Sequence, residues 1–312
     1  MRRLALIIAA LVLVSPATAL ATELDEVLER SKEATYSAEQ IISCSTPDGV
    51  RDAIVRITQD AGDVTVSSSL GEEVEVSSGA GVWSLSREGG LVAEATVSAG
   101  DEKTEPVYVV EDGEEVEFLG RDALSYLLMR DGELRAELLI DDETGAVLEA
   151  VTYTVDAEVY CERRFVSFDT TQPLAETEAF SAPGVDPLML VEESSLPEEV
   201  LGFQRLDQYQ DDEGLRFAYY SDGFFSFALF ETSSVVSLTD ATTVGLDSGA
   251  YTRLFTAGQV TYVWETRAGG MALIGDLPPD LHEAVLAEMP HPQDPGFFRR
   301  WWRNLFGVAT PR

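Results

Sequence analysis

The chain reads as an α+β protein: a large curved antiparallel sheet with a leading helix, then a smaller domain of antiparallel sheet packed on a late helix. Three observations predict this. Residues 120–169 alternate apolar segments with turn sequences, and Asp131-Gly132 and Thr144-Gly145 stand where hairpins need positive φ. The rest of the first half repeats a period-2 pattern. Between Thr170 and Leu196 the pattern weakens under Pro173, Pro183, Gly184 and Pro187, then resumes, which marks a linker between two units.

In order, Met1-Arg2-Arg3, the apolar run 4–14 and the small residues through Ala21 match a secretory signal, so residues 1–21 are expected to leave and the mature chain to be exported. No Cys follows the apolar run, which argues against a lipid-modified anchor. Thr22 or Glu23 caps a helix over 24–34 with Leu24, Val27, Leu28 and Ser31 on one face. Strands follow at 37–43, 52–59, 63–68, 72–77, 82–85, 91–97, 107–110 and 115–119, then a four-strand meander at 126–130, 134–140, 147–154 and 158–168. These make a larger domain over 22–170, with the helix inside the curve of the sheet.

The linker is 171–195 and the smaller domain 196–292. In the latter, 196–200 reads as a helical turn and 203–210, 215–220, 224–230, 260–266 and 271–275 as strands. Asp276 is the expected cap of a helix with Pro278 in its first turn, Leu281, Val285 and Met289 inward, and Pro290 as its stop. A tail, 293–312, closes the chain.

The formal net charge is −35, from 56 acids against 21 Lys and Arg, and Lys32 and Lys103 are the only lysines. Such a surface repels phosphate and excludes nucleic acid as a partner; it suits a salty environment or a basic partner. The even pair of cysteines, Cys44 and Cys161, in an exported chain favours a disulfide over two buried thiols.

Catalytic patterns are missing from the sequence. His282 and His291 are too few for a metal constellation, and His282 is expected to be solvated or partly packed. No nucleophile elbow, phosphate loop or H-E-x-x-H occurs, and acids are so common that paired ones carry no information. The expectation is a protein with no metal and no cofactor that is not an enzyme. Binding remains. The apolar face of the curved sheet accepts an acyl chain or a partner, or is filled by the chain's own helices. Tyr220, Phe224, Phe225 and Phe227 are the candidate partner-binding residues; a fully buried central strand explains the same aromatics. In the tail, Phe298, Arg299, Arg300, Trp301, Trp302 and Arg303 form a basic aromatic segment whose aromatics share one helical face. Three readings stay open for it: an anionic membrane, docking back on the acidic body, or an unordered tail.

The hairpin Asp141, Thr144, Gly145 and Leu148 within 120–169, the early helix followed by Ala34-Thr35-Tyr36, and a second domain that opens on Leu196-Pro197 and carries Tyr220-Ser221-Asp222-Gly223 resemble the MucB/RseB family of exported sigma-factor regulators. The resemblance implies a larger domain similar to the LolA/LolB lipoprotein carriers, a half-open β-barrel closed by helices, and a smaller domain of sheet and helix. It also implies a function: an envelope-stress regulator that binds the extracytoplasmic region of a membrane anti-sigma factor and senses a lipid-like ligand in the larger domain. The alternative is a periplasmic lipid or lipoprotein carrier.

Overall fold

A computed structural model describes residues 27, 30–31, 33–60, 63–68, 74–79, 82–87, 90–96, 107–171, 189–190, 196–210, 216–232, 241–256, 259–267 and 269–292. The expected signal segment, most of the linker and the basic aromatic tail lie outside them.

The first sheet has eleven strands: β1 (Thr35–Thr46), β2 (Gly49–Asp60), β3 (Asp63–Ser68), β4 (Val74–Gly79), β5 (Val82–Arg87), β6 (Gly90–Thr96), β7 (Val109–Phe118), β8 (Arg121–Arg130), β9 (Glu133–Asp141), β10 (Val147–Tyr153) and β11 (Val159–Asp169). Their order is β6-β5-β4-β3-β2-β1-β11-β10-β9-β8-β7. Every pairing but one joins consecutive strands; β1 with β11 is the exception, and it fuses two meanders into one sheet. The sheet is not closed into a barrel, since β6 and β7 stand at its two ends.

Local turn chemistry accounts for the meander. Asp131 and Gly132 take φ of 55° and 85°, the two positive values that a right-twisted two-residue hairpin requires. Leu119 and Gly120 do the same at 54° and 74°, so β8 begins at Arg121, earlier than the expected 126. The two short strands expected at 107–110 and 115–119 are one strand, β7, broken by a register shift between Asp112 and Glu115.

The Asp141 hairpin has a physical explanation. The Asp141 carboxylate is fully buried and accepts from Arg121 Nε at 2.5 Å and Nη2 at 3.0 Å, and from the Thr144 N–H at 2.8 Å and hydroxyl at 2.7 Å. Burial alone would raise its pKa; the bonds from Arg121 and Thr144 outweigh that and hold it below the usual carboxylate value. Gly145, at φ 73°, lies so close to the Val27 carbonyl that a Cβ would collide with it. Leu148 is completely buried.

Val27, Arg30, Ser31 and Glu33 are helical, in the segment expected to lead the domain. Arg30 Nη1 donates to the Asp142 carbonyl at 2.9 Å, the Gln59 side-chain amide donates to the Ser31 carbonyl, and Val27 sits in the main core.

The second sheet has nine strands: β12 (Met189–Leu190), β13 (Glu199–Val200), β14 (Phe203–Gln210), β15 (Arg216–Ser221), β16 (Ser226–Thr232), β17 (Thr242–Leu246), β18 (Gly249–Thr256), β19 (Gln259–Glu265) and β20 (Gly270–Gly275). Their order is β12-β14-β15-β16-β20-β19-β18-β17, with β13 paired to β14. The helical turn expected at 196–200 is instead β13, because Leu201 and Gly202 form another positive-φ pair and fold β13 onto β14. The hairpin β17–β18 was not expected at all.

A helix, α1 (Pro279–Glu288), follows β20. Pro278, not Asp276, precedes its first residue; the Asp276 carboxylate is taken by the Ser226 N–H at 3.3 Å and by Arg163. The expected stop holds: the helix ends at Glu288, and the Pro290 carbonyl accepts from the Trp264 indole at 2.8 Å. Its buried residues are His282, Val285 and Leu286, with Leu281 only partly covered. His282 is thus a core residue at 1 % exposure, not a solvated one, because the helix turns that side onto Tyr262, 5.4 Å away ring to ring. Burial pushes its pKa down to about 3, so the ring is neutral.

One core cluster crosses both sheets. It joins Tyr126, Leu128, Leu138 and Ile140 of the first to Phe203, Tyr220, Phe227, Leu229, Trp264 and Leu273 of the second, with Val285 and Leu286 of α1.

Candidate functional site

The junction between the two sheets is where the polar chemistry concentrates. It starts from Ser221-Asp222-Gly223-Phe224-Phe225. Asp222 Oδ1 accepts the N–H groups of Phe224 at 3.1 Å and Phe225 at 2.8 Å, and Gly223 at φ 97° lets the chain reverse. This local turn leaves Oδ2 for the other sheet, where the Tyr108 hydroxyl donates at 2.7 Å and Arg130 Nη1 at 3.0 Å. Asp222 is fully buried, and burial pushes its pKa above the usual carboxylate range against the pull of these donors. Arg130 also donates from Nη2 to the Leu201 carbonyl at 2.6 Å and lies 5.7 Å over the Phe203 ring.

Two further bridges repeat the pattern. Arg135 of β9 reaches Asp280 in the first turn of α1 at 2.8 Å, and Arg163 of β11 reaches Asp276 at 3.3 Å. In all three pairs the arginine comes from the first sheet, and the aspartate from the β15–β16 turn, the residue after β20 or the first turn of α1. A fully buried carboxylate that already accepts four donors has no open face to offer a substrate; the chemistry here is that of a fastening. Buried pairs of this kind add specificity of arrangement, and losing one partner strands the other.

Among the expected site residues, Tyr220, Phe225 and Phe227 are at 0–1 % exposure, and Phe224 is half-buried. Tyr220 stacks on Phe227 at 4.8 Å, Phe203 meets Phe227 at 5.3 Å, and Phe224 and Phe225 pack edge-on against Tyr108 at 6.0 and 6.5 Å. Tyr220 lies in β15, Phe227 in β16, and Phe224 and Phe225 in the turn between them; β16 alternates buried and partly buried positions, so it is not a strand buried on both faces. The Tyr220 hydroxyl donates to the Pro197 carbonyl at 2.8 Å, so two segments that carried the family resemblance touch. Cys44 and Cys161 are a disulfide between directly paired residues of β1 and β11. Phe298, Arg299, Arg300, Trp301, Trp302 and Arg303 lie outside the described residues. Sequence reasoning missed Tyr108, Arg130, Arg135 and Arg163; the one signal for them was arginine placed within strands of a strongly acidic chain.

No protein-family model and no curated protein matches this sequence. Solved structures do. A chain of the Pseudomonas aeruginosa MucA/MucB complex matches with TM-score 0.51 and 19 % identity, over 84 % of this chain and 96 % of that one. MucB in complex with MucA(peri) matches at 0.50 and 17 %, over 88 % and 100 %. MucB alone matches at 0.52 and 17 %, over 85 % and 97 %. The resemblance seen in the turn and strand motifs is therefore one of architecture across most of the chain: it has the fold of MucB.

Proposed function

We propose that this chain is an exported, non-enzymatic regulator of envelope-stress signalling that binds the extracytoplasmic part of a membrane anti-sigma factor. The observation that carries this reading is the likeness of both sheets together to MucB, whose structures include complexes with MucA. The acidic body supports it as well, since it would speed encounter with a basic juxtamembrane segment.

In this reading residues 22–170 and 196–292 act as two domains around the Asp222 junction. The larger one senses a lipid-like ligand, and that ligand changes partner affinity by favouring one arrangement of the sheets. The tail at 293–312 makes peripheral contact with the membrane, its aromatics in the interface and its arginines on anionic headgroups. The protein works outside the cytoplasm.

The test uses the mature chain, residues 22–312, titrated calorimetrically with synthetic extracytoplasmic segments of the membrane anti-sigma factors of the same genome. The expected result is a dissociation constant on the order of micromolar or tighter and slower proteolysis of the bound segment. Binding to none of them overturns the proposal. A one-to-one acyl species in native mass spectra, together with no segment binding, favours the lipid carrier instead.

A further inference from the structure

The sheet ends differ in how they are protected. Exposed edges invite strand addition, and proteins blunt them with charge, bulges, proline or brevity. β12 is two residues long. β7 exposes Glu111, Glu114, Glu115 and Glu117 and is broken by its register shift. β17, Thr242-Thr243-Val244-Gly245-Leu246, has none of these devices: no charge, no proline, and an unbroken register with β18 from Thr242–Arg253 to Leu246–Gly249. Among the described residues it pairs with β18 alone.

The hairpin geometry fixes which groups face outward. With a two-residue loop, the closing pair Leu246–Gly249 is hydrogen-bonded, and alternation then turns the N–H and C=O groups of Thr243 and Gly245 away from β18. Both residues are exposed, and no heavy atom lies within 4 Å of where a Gly245 Cβ would stand. That open Cβ position lies above the sheet face, and a glycine within a strand is where another backbone can approach closely.

We infer that the outer edge of β17 receives an extended segment of the partner as an added antiparallel strand, bonded to Thr243 and Gly245. This rests on the partner-binding function proposed above. The segment that fits has an acid-free core of β-branched or hydroxyl side chains, matching an uncharged edge. It carries Lys or Arg where it passes Asp247, the exposed acid of the β17–β18 turn, in a chain of strongly negative charge.

The experiment is hydrogen exchange on residues 22–312 at the Thr243 and Gly245 amides, free and with the synthetic anti-sigma segment that binds in calorimetry. Both amides should exchange fast in the free chain and at least about tenfold slower in the complex. Thr243→Pro removes an outward N–H and spares the β17–β18 ladder, and it should weaken binding about tenfold; Glu114→Pro on β7 should leave binding unchanged. Gly245→Glu, which adds a repelling charge, gives the same answer should the proline variant fold poorly. Unchanged affinity in both β17 variants, with the wild type still binding, overturns this inference alone. Protection already present in the free chain overturns it too, since the edge is then covered by another part of this chain or a second copy. A segment that binds nowhere overturns the functional proposal, and this inference with it.

Discussion

Cys44 of β1 and Cys161 of β11 are bonded across the single pairing of the larger sheet that joins strands remote in sequence. All other neighbours in that sheet are hairpins or consecutive strands, whose closure costs little chain entropy. The disulfide thus ties the two meanders at the costliest contact.

Removing it should weaken the sheet without changing its topology. Cys44→Ala with Cys161→Ala closes no loop over a sequence separation of 117 residues, and the chain-entropy model puts the loss at about 4–5 kcal/mol. Urea denaturation followed by circular dichroism measures it; a midpoint equal to that of the oxidised wild type would contradict the assignment.

Arg130 and Asp222 should behave as a coupled pair. Asp222→Ala leaves a largely buried guanidinium without its carboxylate, removes the acceptor of the Phe224 and Phe225 N–H groups, and should cost about 3–5 kcal/mol, with Arg130→Ala costing less because Asp222 keeps its other three donors. A double-mutant cycle should return a coupling energy of roughly 1 kcal/mol or more. Additive losses would mean the bridge does not fasten the sheets.

Asp141 and Asp222 should answer acid in opposite senses. The folded pKa of Asp141 is lowered, so its stabilisation is present above the unfolded carboxyl value and is lost as pH falls through the folded one. For Asp222 the folded pKa is raised, so its contribution improves as pH falls from that value towards the unfolded one. The stability deficit of Asp141→Asn should therefore shrink from neutral pH to about pH 3, and that of Asp222→Asn should grow. Chemical denaturation across that range reads both.

His282 supplies a separate acid sensitivity. Its folded pKa of about 3 lies below the unfolded value, so the unfolded chain binds the extra proton in between. Its contribution is complete above about pH 6.5 and declines by up to about 1.4 kcal/mol per pH unit on acidification. His282→Leu should remove that part of the slope between pH 6 and pH 4, and an unaltered slope would show the ring is not buried neutral.

Gly145→Ala should release the leading helix. The added Cβ meets the Val27 carbonyl, and φ of 73° already disfavours a side chain. A loss of about 1–3 kcal/mol, with faster proteolysis before Thr35, is the expected outcome.

What the sequence determined by itself was whatever short-range geometry decides. Asp131-Gly132 set a hairpin because two positive φ values are a local requirement, and the Asp141–Leu148 motif was visible because its partners within the turn lie three residues apart. Alternation marked most strands for the same reason. Leu201-Gly202 and the β17–β18 hairpin escaped, the first because an apolar residue took a conformation usually left to Asn or Asp, the second because Asp247-Ser248 lacks a glycine within the turn. Tertiary structure alone decided that β1 meets β11 and β16 meets β20, that His282 faces Tyr262, and that Tyr220, Phe225 and Phe227 enter a core. It also aligned three arginines of the first sheet with aspartates of the β15–β16 turn, the end of β20 and the first turn of α1. Those outcomes depend on contacts between residues 92 to 145 positions apart in the bridges, where no local periodicity carries information about which side chains will meet.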